Sequence, residues 1–288
     1  MRSRSLLLAA AVVVSSQGKD TNLELERLSS ASTRYWRANQ QSYIESVKTC
    51  VIGEGRPTPT TNKQGDPSAP CQWDCYRRAS MLEPLVADIL VNGVAGDFVE
   101  AGVYRGGISV VMAALLRGAG VLGDNTRRMW LADSFAGLPN DLYTKRFAQT
   151  DAGRQAGHSS AEISHMQKRQ RMSRQWGKGG HFTGSLETVK RSFDRCLLPM
   201  GSDSARSTAG RGDRAAPSGE VGGVHYLVGF FADTLPKSQI SQIALLRADS
   251  DIFASIYETL DALYPRLSVG GYVVFDDWKL LQARASID

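Results

Sequence analysis

The 288-residue chain is 42% hydrophobic and 22% charged, with a net charge of +5. That composition is globular, and the length suits one α/β domain with extras or at most two small domains. Much of the basic excess lies in one polar stretch (Lys145, Arg146, Arg154, Lys168, Arg169, Arg171, Arg174 and Lys178). Aromatic residues are sparse there and no recognition motif accompanies the charges, so a solvated loop explains them and nucleic-acid binding is not expected.

The chain opens with two arginines, an apolar run from Leu6 to Val14 and then Ser15 and Ser16. Residues 1–18 therefore have the plan of a secretory signal peptide, with a buried or frayed N-terminal helix as the other reading. The run is too short to serve comfortably as a membrane anchor, and no later run is longer, so no stable span is expected in the mature chain. The location is then either the secretory pathway or, if the leader reading fails, the cytoplasm. Cys71 and Cys75 lack a second pair or a histidine cluster at zinc-finger spacing, which argues against structural zinc. A disulfide from Cys50 to either of them fits the secretory reading.

Residues 23–92 read as an N-terminal helical cap. The pattern is helical from Leu23 to Val51, with Tyr35, Trp36, Tyr43, Ile44 and Val47 as packing residues, and a Pro, Thr and Gly-rich loop follows. A second helix is predicted from Tyr76 to Asn92, with Gly93 ending it.

Gly96 to Gly107, GDFVEAGVYRGG, is the organising stretch. Phe98, Val99 and Ala101 form a short buried strand, Gly102, Gly106 and Gly107 allow a tight turn, and Ile108 to Leu116 continue as a helix. Glu100 would repel the pyrophosphate of a dinucleotide but suits the sulfonium, ammonium and ribose diol of S-adenosylmethionine. The blander alternative is a surface acid beside a structural turn. Met129 to Ala132 form the next strand, and Asp133 at its end either accepts hydrogen bonds from ribose hydroxyls or opens an Asx-turn.

Residues 142–184 and 201–223 read as polar insertions around a helix from Leu186 to Leu197. Three more strands are predicted at His225–Val228, Ile243–Ala248 and Tyr272–Phe275, with a helix from Ile252 to Leu263 after the second. Five strands alternating with helices make a doubly wound parallel α/β sheet covered on both faces. The last two strands should be neighbours, so Asp249 and the pair Asp276 and Asp277 emerge together at the carboxyl edge. Such a cluster needs a cation, and oxygen-only donors suit Mg²⁺. The alternative is that these acids cap a helix and form a turn; Asp251 is read as the cap and Asp249 as the ligand.

GDFVEAGVYRGG, WLADSFAGLP, GFFADTLP, LRADSDIFAS and LYPRLSVGGYVVFDDW, in this order, resemble the macrocin O-methyltransferase family over about Tyr43 to Trp278. The resemblance implies a Rossmann-like class I methyltransferase, dependent on S-adenosylmethionine and Mg²⁺, that methylates a hydroxyl of a sugar or other diol-bearing small molecule. Carried over by position, Glu100, Gly102, Tyr104, Gly106, Asp133 and Ser134 belong to the cofactor site. Asp249, Asp276 and Asp277 belong to the metal, with Asp249 also the candidate base. A homo-oligomer is compatible with this reading.

Besides Asp277-Trp278, which stands where the family has aspartate followed by Tyr, two features depart from the family pattern. Asp249-Ser250-Asp251-Ile252-Phe253-Ala254 stands where the family usually has D-G-D followed by an apolar residue, Tyr and Glu. The chain also stops at Asp288, where this fold normally continues into another helix and antiparallel strands, so the expected fold is truncated at its C-terminus. Both departures support a competing reading, a catalytically inactive binding module.

Overall fold

The computed structural model describes residues 13–15, 35–53, 70–71, 75–138, 149, 184–197 and 221–276. Most of both expected insertions, and Asp277, lie outside the described residues.

The apolar runs become strands in the order the sequence suggests. These are β2 (Asp97–Ala101), β3 (Met129–Asp133), β4 (Val224–Val228), β5 (Ile243–Ala248) and β6 (Leu267–Phe275). With β1 (Val13–Ser15) they form one sheet in the order β1-β6-β5-β2-β3-β4, and every pairing is parallel. The crossover from β4 to β5 brings the chain back beside β2, and a ligand crevice forms outside the strand ends at such a reversal.

Helices α1 (Ala38–Ile52), α2 (Cys75–Val91), α3 (Gly107–Gly118) and α4 (Leu186–Cys196) share a core with Phe98, Leu131, Leu245 and Val274. The alternate strand residues Val99, Ala132, Leu246 and Val273 pack on the other face. There they meet Phe231 of α5 (Phe231–Thr234) and Ile256 and Leu263 of α6 (Phe253–Leu263). Opposite directions for successive strand side chains separate these two cores. The sheet is therefore doubly wound and Rossmann-like.

Three local expectations change. The last strand starts at Leu267 rather than Tyr272, because the chain stays in the strand past Gly270, whose φ of 81° makes a bulge that absorbs the extra length in a register shift against β5. Asp251 does not cap α6. Ile252 takes that position with no side-chain cap hydrogen bond, and Asp251 adopts a left-handed φ of 60°. The disulfides are Cys50–Cys196 and Cys71–Cys75, not a bridge from Cys50 to either of the latter. The fold brings the end of α1 to the end of α4, a juxtaposition that sequence spacing does not carry.

Within the leader-like run, Val13, Val14 and Ser15 stand in register with Val273, Val274 and Phe275. These three residues thus line the outer side of β6. Among the described residues no helix is long and apolar enough to cross a membrane.

Candidate cofactor and carboxylate site

The turn from Gly102 to Gly107 lies at the carboxyl edge between β2 and α3. Its three glycines answer to the chain's own packing. A Cβ at Gly102 (φ 92°) would overlap the carbonyl oxygen of Asp249, one at Gly106 (φ 82°) would press on Val189, and one at Gly107 would meet Cys71. The close approach expected of a ligand is at Gly102 an approach of the β5 end to the β2 end. Beyond the turn, the N–H groups of Gly107, Ile108 and Ser109 have no hydrogen-bond partner among the described residues. These open donors at the start of a three-turn helix suit a carboxylate such as that of S-adenosylmethionine.

Asp133 straps the same turn. One carboxylate oxygen accepts from the N–H of Val103 at 2.7 Å and of Tyr104 at 3.3 Å, and the other accepts from Phe135 at 2.8 Å. The last bond is the Asx-turn, so that alternative is realised alongside the strap. Ser134 Oγ donates to Gly137 O at 2.7 Å and accepts from Ala136 N at 3.1 Å, which fixes the following bend. Tyr104 holds a left-handed φ of 53°, its ring facing the Arg105 guanidinium at 5.2 Å.

Glu100 is not a surface acid: it is 1% exposed. One of its oxygens pairs with Arg247 Nη1 and the other accepts from Ser109 Oγ on α3. The same arginine reaches Asp249 at 2.8 Å and Asp276 at 3.0 Å through Nη2. Asp276 is held a second time by Arg78 of α2 at 2.7 Å. Asp249 and Asp276 thus meet at one strand edge, as the sequence suggested, and Glu100, read from the sequence as a cofactor residue, joins them through Arg247. The cation among them belongs to the chain.

Burial works against the charge of Arg247, yet Asp249, Asp276 and Glu100 together outweigh it and raise its pKa well above the ordinary arginine range. For Glu100, burial dominates over the opposing pulls of Arg247 and Ser109, and its pKa is raised. Sequence reasoning missed Arg247, Arg78 and Ser109. The signal for Arg247 was an arginine inside the apolar run Ile243 to Ala248, since a cation in a buried strand must find partners.

The described residues fit the cofactor better than they fit a metal. Ser250 Oγ is buried and has no partner among the described residues, so a second orphaned polar group borders the turn. By contrast, among the described residues no group of three His, Cys, Asp or Glu side chains is arranged to hold a metal ion. Both oxygens of Asp276 already face arginines, while the Asp249 side chain is 22% exposed.

Comparison with known proteins gives a consistent picture. Residues 6–177 and 221–288 match the profile of the macrocin O-methyltransferase family. The chain is 32% identical over 211 residues to 8-demethyl-8-(2,3-dimethoxy-alpha-L-rhamnosyl)-tetracenomycin-C 4'-O-methyltransferase of Streptomyces olivaceus, covering 73% of this chain and 64% of that protein. It is also 32% identical over 204 residues to demethyldecarbamoylnovobiocin O-methyltransferase of Streptomyces niveus, covering 71% and 61%. The matched region thus spans less than two thirds of the length of these two relatives. Among solved structures, the O-methyltransferase NovP superposes with a TM-score of 0.58 at 26% identity, covering 86% of this chain and 89% of NovP.

Proposed function

Because the chain belongs to the macrocin O-methyltransferase family, we propose that it is an S-adenosylmethionine-dependent O-methyltransferase acting on a hydroxyl of a sugar or other diol-bearing small molecule. The observation that carries the reading is the meeting, at one sheet edge, of the open N–H donors of α3 and the carboxylate cluster around Arg247. The two named relatives are O-methyltransferases, and one carries a sugar in its substrate name.

S-adenosylmethionine, when bound, supplies the electrophilic methyl group. The N–H groups of Gly107, Ile108 and Ser109 would orient its carboxylate, and Asp133 keeps the turn that presents them in one conformation. Glu100, with Asp249 and Asp276, makes this edge favourable to the cofactor's cationic groups. Asp249 is the base: its carboxylate would take the proton of the acceptor hydroxyl. Arg247 holds one oxygen of Asp249 and so fixes its orientation for that transfer.

Magnesium is the second part of the proposal. Asp249 with Asp276 and Asp277 would hold the ion, which requires Asp276 to be released from Arg78 and Arg247, and when bound it would favour the alkoxide form of the acceptor. Since Asp249 and Asp276 alone do not assemble a metal group among the described residues, the proposal depends on Asp277 joining them. Location forms a third part. The pairing of all four cysteines supports an oxidising compartment, reached through the secretory pathway.

Calorimetric titration of S-adenosylmethionine into the full chain, with Mg²⁺ and with EDTA, tests the first two parts. Micromolar cofactor binding supports the enzyme, and a separate Mg²⁺ signal abolished by Asp249→Ala with Asp276→Ala supports the metal. A folded chain that binds neither would favour the inactive binding module. That second reading has one observation of its own: Arg247 already satisfies Glu100, Asp249 and Asp276 from within the chain.

A further inference from the structure

Helix α4 is the outer wall of the glycine turn. The backbone at Gly184, just before the helix, lies so close to the carbonyl of Tyr104 that a Cβ there would overlap it. Val189 fills the space that glycine leaves at position 106. One turn later Ser192 Oγ donates to the carbonyl of Arg105 at 2.9 Å. Three successive residues of the turn are thus met from one side, Tyr104 by Gly184 and Arg105 and Gly106 by the 11-residue helix itself.

What holds that helix is equally specific. The chain on either side of it, residues 150–183 and 198–220, lies outside the described residues. Val189 and Phe193 pack in the helical-face core, and Arg117 Nη1 donates to the carbonyl of Leu197 at 2.7 Å. The covalent tie is Cys196, bonded to Cys50 at the end of α1, one turn beyond Ser192. The second disulfide reaches the same turn from another side. Cys71, bonded to Cys75 at the start of α2, occupies the space beside Gly107. Both bridges therefore bear on neighbouring glycines of one turn, Gly106 through α4 and Gly107 directly.

We propose that the Cys50–Cys196 disulfide sets the cofactor affinity of this protein: oxidised, it presses Val189 and Ser192 of α4 onto the turn, and reduced, it lets the turn relax. The inference rests on the reading of that turn as the S-adenosylmethionine site. Reduction consumes two electrons and two protons from a dithiol; the S–S bond breaks, Cys50 and Cys196 become thiols, and the dithiol closes to its own disulfide. Ser192 is a positioning residue here. It acts through the Arg105 carbonyl, two residues before Gly107, the glycine that starts α3.

S-adenosylhomocysteine is titrated calorimetrically into the full chain, oxidised and after dithiothreitol, with a thiol count confirming the state. Cys50→Ser with Cys196→Ser and Cys71→Ser with Cys75→Ser separate the two bridges. Reduction should weaken binding about tenfold or more, and the Cys50 and Cys196 double variant should reproduce that loss without reductant. Equal affinity in both states, with the thiols counted, overturns the inference. Should the reduced chain lose its fold, Ser192→Ala in the oxidised protein decides the matter. It is expected to weaken S-adenosylhomocysteine binding several-fold with the melting temperature little changed, and Ser192→Thr should restore it. Wild-type affinity in Ser192→Ala overturns the inference. If the oxidised wild type binds no S-adenosylhomocysteine, the methyltransferase reading itself fails and takes this inference with it; binding that ignores redox state sinks this inference alone.

Discussion

Arg247 on β5 stands in register with Glu100 on β2, and the two side chains form a buried ion pair from which the same guanidinium reaches Asp249 and Asp276. One cation serving three carboxylates makes the strand edge a single electrostatic unit.

Removing Arg247 should therefore cost more than an ordinary ion pair. Arg247→Met leaves Glu100 and Asp276 buried without their shared cation, and loss of one partner from a buried pair costs about 3–5 kcal/mol. Urea denaturation of the full chain measures it. Arg247→Lys should recover only part of the loss, because an ammonium lacks the planar fork that reaches Glu100 through one nitrogen and both aspartates through the other. A loss below about 1 kcal/mol for Arg247→Met would show that the pair is relieved by water, as surface pairs are.

Glu100 has a pH signature of defined sign. Burial raises its pKa above the value of 4.5 it has when exposed, so the folded state retains a proton that the unfolded chain gives up. Its contribution to stability is full below that value and is lost as the pH rises through the folded pKa. Glu100→Gln does not titrate. The stability of Glu100→Gln relative to wild type should accordingly increase between about pH 4 and about pH 8, measured by urea melts at each pH. A constant difference across that range would show that Arg247 and Ser109 cancel the effect of burial.

Gly102 is constrained by conformation and space together. Its φ of 92° is a region that side chains rarely adopt, and a Cβ would overlap the Asp249 carbonyl. Gly102→Ala should cost about 1–3 kcal/mol from backbone strain alone. To relieve the overlap, the end of β5 must move away from β2, displacing Asp249. S-adenosylhomocysteine binding should fall with stability, whereas Gly120→Ala, at φ 74° with open space around it, should lose stability only. Both are measured by thermal melts and titration calorimetry.

The parallel sheet was legible because its central strands are uninterrupted apolar runs. Phe98, Val99 and Leu245, Leu246 alternate between two cores that both exclude water. The neighbouring strand ends followed from that topology, so the meeting of Asp249 with Asp276 was foreseeable. Arg247 was not, because reading acids one by one as ligands or caps leaves out a cation emerging two residues before Asp249 on the same strand. Asp251 was read as a cap from its type, but the turn before α6 needs a left-handed residue, which aspartate tolerates better than most side chains. The disulfide partners could not be read either: Cys50 and Cys196 lie 146 positions apart and meet only when α1 and α4 pack.

The start of the chain separates two readings of one apolar run. Pairing of Val13, Val14 and Ser15 with Val273, Val274 and Phe275 places part of the leader-like segment at the edge of the sheet. Deleting residues 1–18 uncovers the backbone donors and acceptors along that side of β6, a template for pairing with other chains. If these residues serve as a strand in the working protein, the deletion should lower the melting temperature by about 2–4 °C for each kcal/mol lost. It should also increase association with concentration, read by light scattering. If they are a leader removed on export, the shortened chain should melt at least as high as the full one and remain as dispersed. Mass spectrometry of the protein recovered from its native compartment would then show an N-terminus beyond Gly18.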